Sequence, residues 1–149
     1  MTLTIRDARV TDIPALFEVR TSVHENHLSV GQMAEMGITA ETIREVLHQE
    51  PCIWVAECED RIVGFSMADL SEACVFAAFV RPEHEGKGIG RQLMDRAEAY
   101  LFAHHPSIWL ETHRSSRAAG FYQRLGWTRM QDLERGDARF EKQRPGKSS

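Results

Sequence analysis

The densest chemistry in this sequence lies between Val80 and Leu93, which reads V-R-P-E-H-E-G-K-G-I-G-R-Q-L. An apolar run ends there, glycines follow at positions 86, 88 and 90, and a helix-like pattern begins. Alternate glycines let a backbone approach a ligand closely. A helix start adds unpaired N–H groups and the positive end of a dipole. Together they make a cradle for a phosphate or pyrophosphate, with Lys87 and Arg91 as charges at its rim. Two common phosphate motifs are excluded. A Walker loop needs Ser or Thr after its Gly-Lys pair, and Lys87 is followed by Gly88. The dinucleotide fingerprint needs a third glycine where this chain has Arg91.

A second stretch, Ser115 to Trp127, reads S-S-R-A-A-G-F-Y-Q-R-L-G-W. Ala118, Phe121, Tyr122 and Leu125 recur at helical spacing, and Gly126 closes the segment. Tyr122 is a possible proton donor here, or simply a core side chain on its helix face.

With these two motifs in this order, the chain resembles the GCN5-related N-acetyltransferases. Gly88 and Gly90 match the small positions of that family's acyl-CoA loop. Glu85 stands where Arg or Gln is usual. Ala118, Phe121, Tyr122, Gly126 and Trp127 match the later motif, and Ser115 replaces the usual Asn. V-H-E-N-H-L-S, from Val23 to Ser29, looks like one subgroup of the same family. The resemblance implies an acyl-CoA N-acyltransferase fold and acetyl-CoA as co-substrate. It implies that Glu85, Gly86, Lys87, Gly88, Ile89, Gly90 and Arg91 hold the pyrophosphate. Phe79 and Val80 would offer main chain to the acetyl group and pantetheine arm, beside Ser115 and Phe121. Tyr122 would protonate the departing thiolate.

Acetyl transfer to an amine also requires the amine to lose a proton. A lysine-like amine, with a pKa of about 10.4, lies some 3.4 units uphill at pH 7, roughly 4.6 kcal/mol. The run Ala73–Val80 supplies no Glu or His as a base. Glu25, Asp69 and His113 are the candidates on the acceptor side, with Asn26 as a further contact; water without a dedicated base is the alternative. The acceptor expected is a small-molecule or peptide amine. A non-catalytic acyl-CoA sensor on the same fold would keep the glycine loop and lose the acid, so Tyr122 favours an enzyme.

Weaker patterns carry less. His24 and His27 lack a third metal ligand in the sequence, and no metal is expected. Gly64-Phe-Ser66-Met-Ala68 is one residue short of a nucleophile elbow and falls inside a strand pattern. Cys52, Cys58 and Cys74 form no Cys-x-x-Cys pair and read as buried thiols.

The surrounding elements must position these residues. Thr2–Arg6 alternates as a strand. Asp12 reads as the cap of a helix with Ile13, Leu16, Phe17 and Val23 inward, and Thr39 as the cap of a second with Ile43, Val46 and Leu47 inward. Cys52–Cys58 and Ile62–Leu70 read as a hairpin over Glu59-Asp60-Arg61. Ala73–Val80 reads as a strand buried on both faces, stopped by Pro82. A helix carrying Ile89, Leu93, Ala97, Tyr100 and Leu101 follows, then a strand at Ile108–Leu110. After the Ala118–Leu125 helix come strands at Thr128–Leu133 and Ala138–Lys142. The order β-αα-βββ-α-β-α-ββ predicts a single-domain mixed α/β (α+β) fold, its mostly antiparallel sheet flanked by helices. Residues 1–143 form that N-acetyltransferase domain and 144–149 a polar tail.

The chain has 149 residues, 42% of them hydrophobic and 27% charged, which suits one ordinary globular domain. A formal charge of −4 argues against nucleic acid or an anionic membrane as the main partner, yet leaves room for a local basic pocket. The opening MTLTIRDARV has no apolar signal region, and no run approaches a membrane span, so a cytoplasmic protein is expected. A homodimer is a further expectation, carried by the resemblance alone.

Overall fold

The computed structural model describes residues 2–23 and 28–145. Seven strands form one sheet in the order β1-β2-β3-β4-β5-β7-β6. They are β1 (Leu3–Asp7), β2 (Ile53–Cys58), β3 (Arg61–Asp69), β4 (Cys74–Val80), β5 (Ser107–His113), β6 (Thr128–Asp132) and β7 (Asp137–Gln143). Five helices pack on it: α1 (Ile13–Ser22), α2 (Val30–Glu35), α3 (Ala40–Gln49), α4 (Ile89–Phe102) and α5 (Arg117–Arg124). Every pairing is antiparallel except β4 with β5. None of the described helices is long and apolar enough to cross a membrane.

The expected element order holds, with one helix added. α2 lies in the stretch that the sequence left undefined, and Ser29 caps it by accepting from the Gln32 N–H. Thr39 caps α3 as its side chain accepts from Thr42 N–H. The β2–β3 hairpin turns on Glu59 and Asp60 alone, both at positive φ, which matches the twist of the flanking strands.

Three expectations need correction. Asp12 does not cap α1 with its side chain. A short 3-10 turn, Val10–Asp12, precedes that helix, and the carboxylate reaches back to Arg9 N–H and to the Arg6 guanidinium, each at 2.8 Å. The inward face of α1 also includes Val19 and Arg20, while Phe17 is only half-buried. Finally, β4 is not buried on both faces. Phe76 is 52% exposed, because the α1–α3 layer leaves a gap over it.

Two apolar clusters flank the sheet. One joins α4 to the sheet through Leu93, Met94, Ala97 and Leu101, against Val63, Val75, Ile108 and Phe140. The other joins α1 and α3 through Leu16, Val19 and Ile43, against Ile53, Val55 and Phe65. Cys52, Cys58 and Cys74 are all buried and unbridged, as expected. Ser66 is buried within β3, and its hydroxyl donates to the Leu93 carbonyl at 2.9 Å. That bond ties β3 to α4 and leaves no nucleophile elbow.

Candidate functional site

β4 and β5 start side by side and then separate. Cys74 pairs with Trp109, and no further partners join the two strands. Each strand's far end is therefore freed from the other, and a cleft of about 790 Å³ opens between them. That is ample for a sizeable ligand. Ala78, Phe79 and Val80 line one side and Thr112 and His113 the other, with the start of α4 and the inner face of α5 completing the walls.

Close approach explains how α4 is brought to this opening. Gly64 of β3 stands opposite Val80. A Cβ there would lie 2.9 Å from the Phe79 carbonyl oxygen and 3.0 Å from a Leu93 methyl. Only glycine lets the end of β4 and the first turns of α4 sit this near to β3. Arg81, buried where β4 ends, holds the corner. Its Nε donates to the Ile62 carbonyl at 3.1 Å and its Nη2 pairs with Glu18 of α1 at 3.1 Å.

The loop before α4 has Gly86 and Gly88 at φ +77° and +80°, a conformation that favours glycine. A Cβ at either would meet no atom within 4 Å, so the space above the loop is open. Glu85, Gly86, Gly88, Ile89, Gly90 and Arg91 all line the cleft. Lys87 is exposed and is not part of the cleft wall. Arg117 and Arg124 of α5 line it as well, so three arginines face one glutamate there. The Glu85 carboxylate pairs with Arg117 across the opening at 3.2 Å. An acidic chain thus carries a locally basic cleft, one suited to a small polyanion.

Tyr122 projects from α5 into the same cleft. Its ring packs beside Phe121 and Trp127, with centroids 5.4 and 6.3 Å away. Burial pushes its phenol up to about 12 from an ordinary 10, and no other influence offsets it. The hydroxyl stays protonated throughout the neutral range and is a donor, not a base. Phe121 also lines the cleft, its ring 3.2 Å from where a Cβ on Gly90 would stand.

The remaining candidates divide. Ser115 lies outside the cleft wall; Ser116, one residue on, lines it and caps α5 by accepting from the Ala119 N–H. Asp69 pairs with Cys74 at the opposite end of β4, roughly 20 Å of strand from Val80. Its carboxylate accepts from the Ser71 hydroxyl and shapes the β3–β4 turn. His113 reaches the cleft, but its Nδ1 accepts from the Ser115 N–H at 3.2 Å. A Cβ on Gly136 would stand 2.5 Å from its Nε2, so that nitrogen packs against main chain. Glu25, Asn26, His24 and His27 lie outside the described residues. Among the described residues no cluster of three His, Cys, Asp or Glu is placed to hold a metal ion.

Val23, Thr112, Ser116, Arg117 and Arg124 also line the cleft without a sequence signal of their own. Spacing could have suggested Arg117 and Arg124, since positions 117, 121 and 124 fall on one helical face with Phe121.

The model of the acetyltransferase (GNAT) domain matches residues 49–129, more than half of the chain. The peptidyl-lysine N-acetyltransferase YjaB of Salmonella typhimurium is 30% identical over 132 residues, covering 85% of this chain and 84% of that protein. Among solved structures, the PaiA N-acetyltransferase of Thermoplasma acidophilum in complex with coenzyme A superposes with a TM-score of 0.78. It shares 21% identity and covers 97% of this chain and 100% of its own. YncA of Salmonella typhimurium, solved with its cofactor acetyl-CoA, gives a TM-score of 0.74 at 19% identity, covering 100% and 98%.

Proposed function

The chain belongs to the GNAT acetyltransferase family, and from that membership we propose that it moves an acetyl group from acetyl-CoA to a primary amine by direct attack in a ternary complex. The observation that carries this reading is the wedge between β4 and β5. It has an open glycine loop and Arg91 on one wall, and Arg117, Arg124 and a buried tyrosine on the other.

The residues fit coenzyme A. Loop N–H groups from Gly86 to Gly90 and the Arg91, Arg117 and Arg124 guanidiniums would hold its phosphates. The Val80 N–H, which faces away from β3 and is left unpaired by β5, would point toward the thioester carbonyl and stabilise the negative oxygen that forms there. The amine nitrogen attacks the carbonyl carbon, a C–N bond forms, the C–S bond breaks, and the electron pair leaves on sulfur. Tyr122 gives its proton to that sulfur, and solvent reprotonates the phenol.

A phenol near 12 facing an ordinary thiol near 8.5 is a poor donor in water, by about 3.5 units or ~5 kcal/mol. The same dry surroundings raise the basicity of the sulfur too, which narrows that gap. Of the base candidates read from the sequence, Asp69 is remote from the cleft and the His113 Nδ1 already accepts from the Ser115 N–H, so neither is poised for the amine proton. Water takes that proton.

A thiol-release assay with acetyl-CoA over a panel of amines tests the reading. Amine-dependent CoA release is expected. Failure to bind acetyl-CoA by calorimetry, together with no release, would sink it.

A further inference from the structure

The Tyr122 hydroxyl has no hydrogen-bond partner among the described residues. Its aim therefore depends on what holds the ring. The aromatic neighbours are Phe121 and Trp127. Phe121 is half-buried and lines the cleft, so one side of it is open. Trp127 is only 2% exposed and is held twice. Its backbone N–H donates to the Tyr122 carbonyl at 3.0 Å. Its indole Nε1–H donates to Oε2 of Glu98 at 3.1 Å.

Glu98 lies on α4, the helix that begins at the glycine loop, and it is buried beside the core residues Met94, Ala97 and Leu101. Lys142 of β7 donates to its other oxygen at 2.6 Å. The Lys142 stem crosses Gly126, its Cε 3.6 Å from where a Cβ there would stand. One carboxylate thus ties α4, β7 and the segment that closes α5. Such a pair is a poor source of stability, because taking both charges out of water offsets most of their attraction. Apolar residues of similar volume commonly serve a fold as well. What the pair adds is direction. Hydrogen bonds fix a distance and an angle, whereas apolar contact lets a ring slide or turn.

We propose that Glu98 and Lys142 are positioning residues for acetyl transfer. Through the Trp127 indole they hold the Tyr122 ring so that its hydroxyl faces the departing sulfur. This rests on the acid role given to Tyr122 above and adds where that acid gets its aim. The helix that meets the cofactor at its start then also fixes the proton donor.

The main test replaces the pair by apolar residues, Glu98→Leu together with Lys142→Met, which strands no charge. Thermal unfolding should be no lower than in wild type. Single-turnover transfer at saturating acetyl-CoA, with the fastest amine of the panel above, should fall about 10- to 100-fold, the cost of a misplaced group. Acetyl-CoA affinity by calorimetry should hardly change. The same replacement in Tyr122→Phe should cost nothing further, since no hydroxyl is left to aim. A merely structural role predicts equal losses in both backgrounds. Glu98→Gln keeps an oxygen for the indole and should retain most of the rate. Trp127→Phe keeps a ring and the backbone N–H but loses the indole donor. It should slow transfer in the same way, and it serves if the double variant fails to fold.

A readout without turnover uses 3-fluorotyrosine. The chain has two tyrosines, so Tyr100→Phe leaves the label on Tyr122 alone. Its fluorine line should broaden or split when the pair is replaced. Equal losses in both backgrounds, a wild-type rate in the folded double variant, or a line of unchanged width would each overturn the proposal and leave acetyl transfer standing. Tyr122→Phe as fast as wild type would overturn the acid role, and this proposal with it. Absence of transfer by wild type would overturn the acetyl-transfer reading, and the fluorine line would then decide alone whether the pair holds the ring.

Discussion

The two sides of β4 are lined by different means. On the α4–α5 side the binding groups are largely main chain: a loop shaped by Gly86 and Gly88, a helix start, and a strand end that its neighbour has left. On the α1–α3 side the groups are all side chains, nine apolar residues and one guanidinium. Main-chain recognition tolerates few residue types, because it needs open space and unusual φ angles. A side-chain lining is set one residue at a time, so the α1–α3 side can change while the glycine loop stays as it is.

Four measurements press on that contrast, from the largest expected effect to the smallest. Tyr122→Phe keeps the ring against Phe121 and Trp127 and removes only the proton donor. Single-turnover acetyl transfer should drop by about 10²–10⁴-fold with acetyl-CoA affinity nearly unchanged. Undiminished chemistry would return Tyr122 to a packing role and leave loop main chain and the arginines as the working groups of the cofactor side.

Next, Gly88→Glu places a carboxylate in open space above the loop and a side chain at φ +80°. Calorimetry should find acetyl-CoA affinity reduced by about 100-fold or more, since charge repulsion and lost space add to left-handed strain. Thermal unfolding should shift by only a few degrees, and a collapse of the fold would erase the distinction between ligand loop and scaffold.

Gly64→Ala acts on the scaffold that both sides share. Its Cβ would press on the Phe79 carbonyl and on Leu93. Overpacking of this kind costs about 1–3 kcal/mol, which thermal unfolding should show as a drop of several degrees. An unchanged Tm would mean that the close approach of α4 to β3 is dispensable.

The smallest effect is at Asp12, which belongs to neither lining. Burial would raise its carboxyl, but the Arg6 guanidinium and the Arg9 N–H outweigh that and hold it below the usual carboxylate value. A depressed folded-state pKa contributes stability that is present above the unfolded value, about 3.9, and is lost as the pH falls further. Asp12→Asn should therefore be less stable than wild type near pH 7, with the difference narrowing below about pH 4. A difference that stays constant down to pH 2 would remove the linkage.

What could be read from residues alone follows the same division. The glycine loop and the Phe121-Tyr122 face of α5 were legible because their constraints are local: spacing, helix periodicity and backbone freedom. Asp69 was misleading, since a strand end says nothing about which end of the sheet holds the site, and β3 runs antiparallel to β4. The exposure of Phe76 was hidden because an apolar run looks the same under a covered face or a gapped one. Ser116 and Ser115 differ only in helix phase, which the cap fixes. Arg20 gave no signal at all, because on a helix of ordinary composition an arginine reads as surface.

One consequence of the core concerns the reaction's other product. Each turnover would release coenzyme A as a free thiol, and the disulfide that forms when this thiol is oxidised can capture a protein thiolate by exchange, with one coenzyme A thiol as the leaving group. All three cysteines of this chain are buried. Burial, first among the causes, pushes the thiols of Cys52 and Cys74 up to about 11 and about 12. At neutral pH less than roughly one in 10³ of either is thiolate, the form that attacks a disulfide. The protein should pass through an oxidised pool of its own by-product without acquiring it. Intact mass after incubation with coenzyme A disulfide should show the unmodified chain, and a mass increase of one coenzyme A would locate a core that opens.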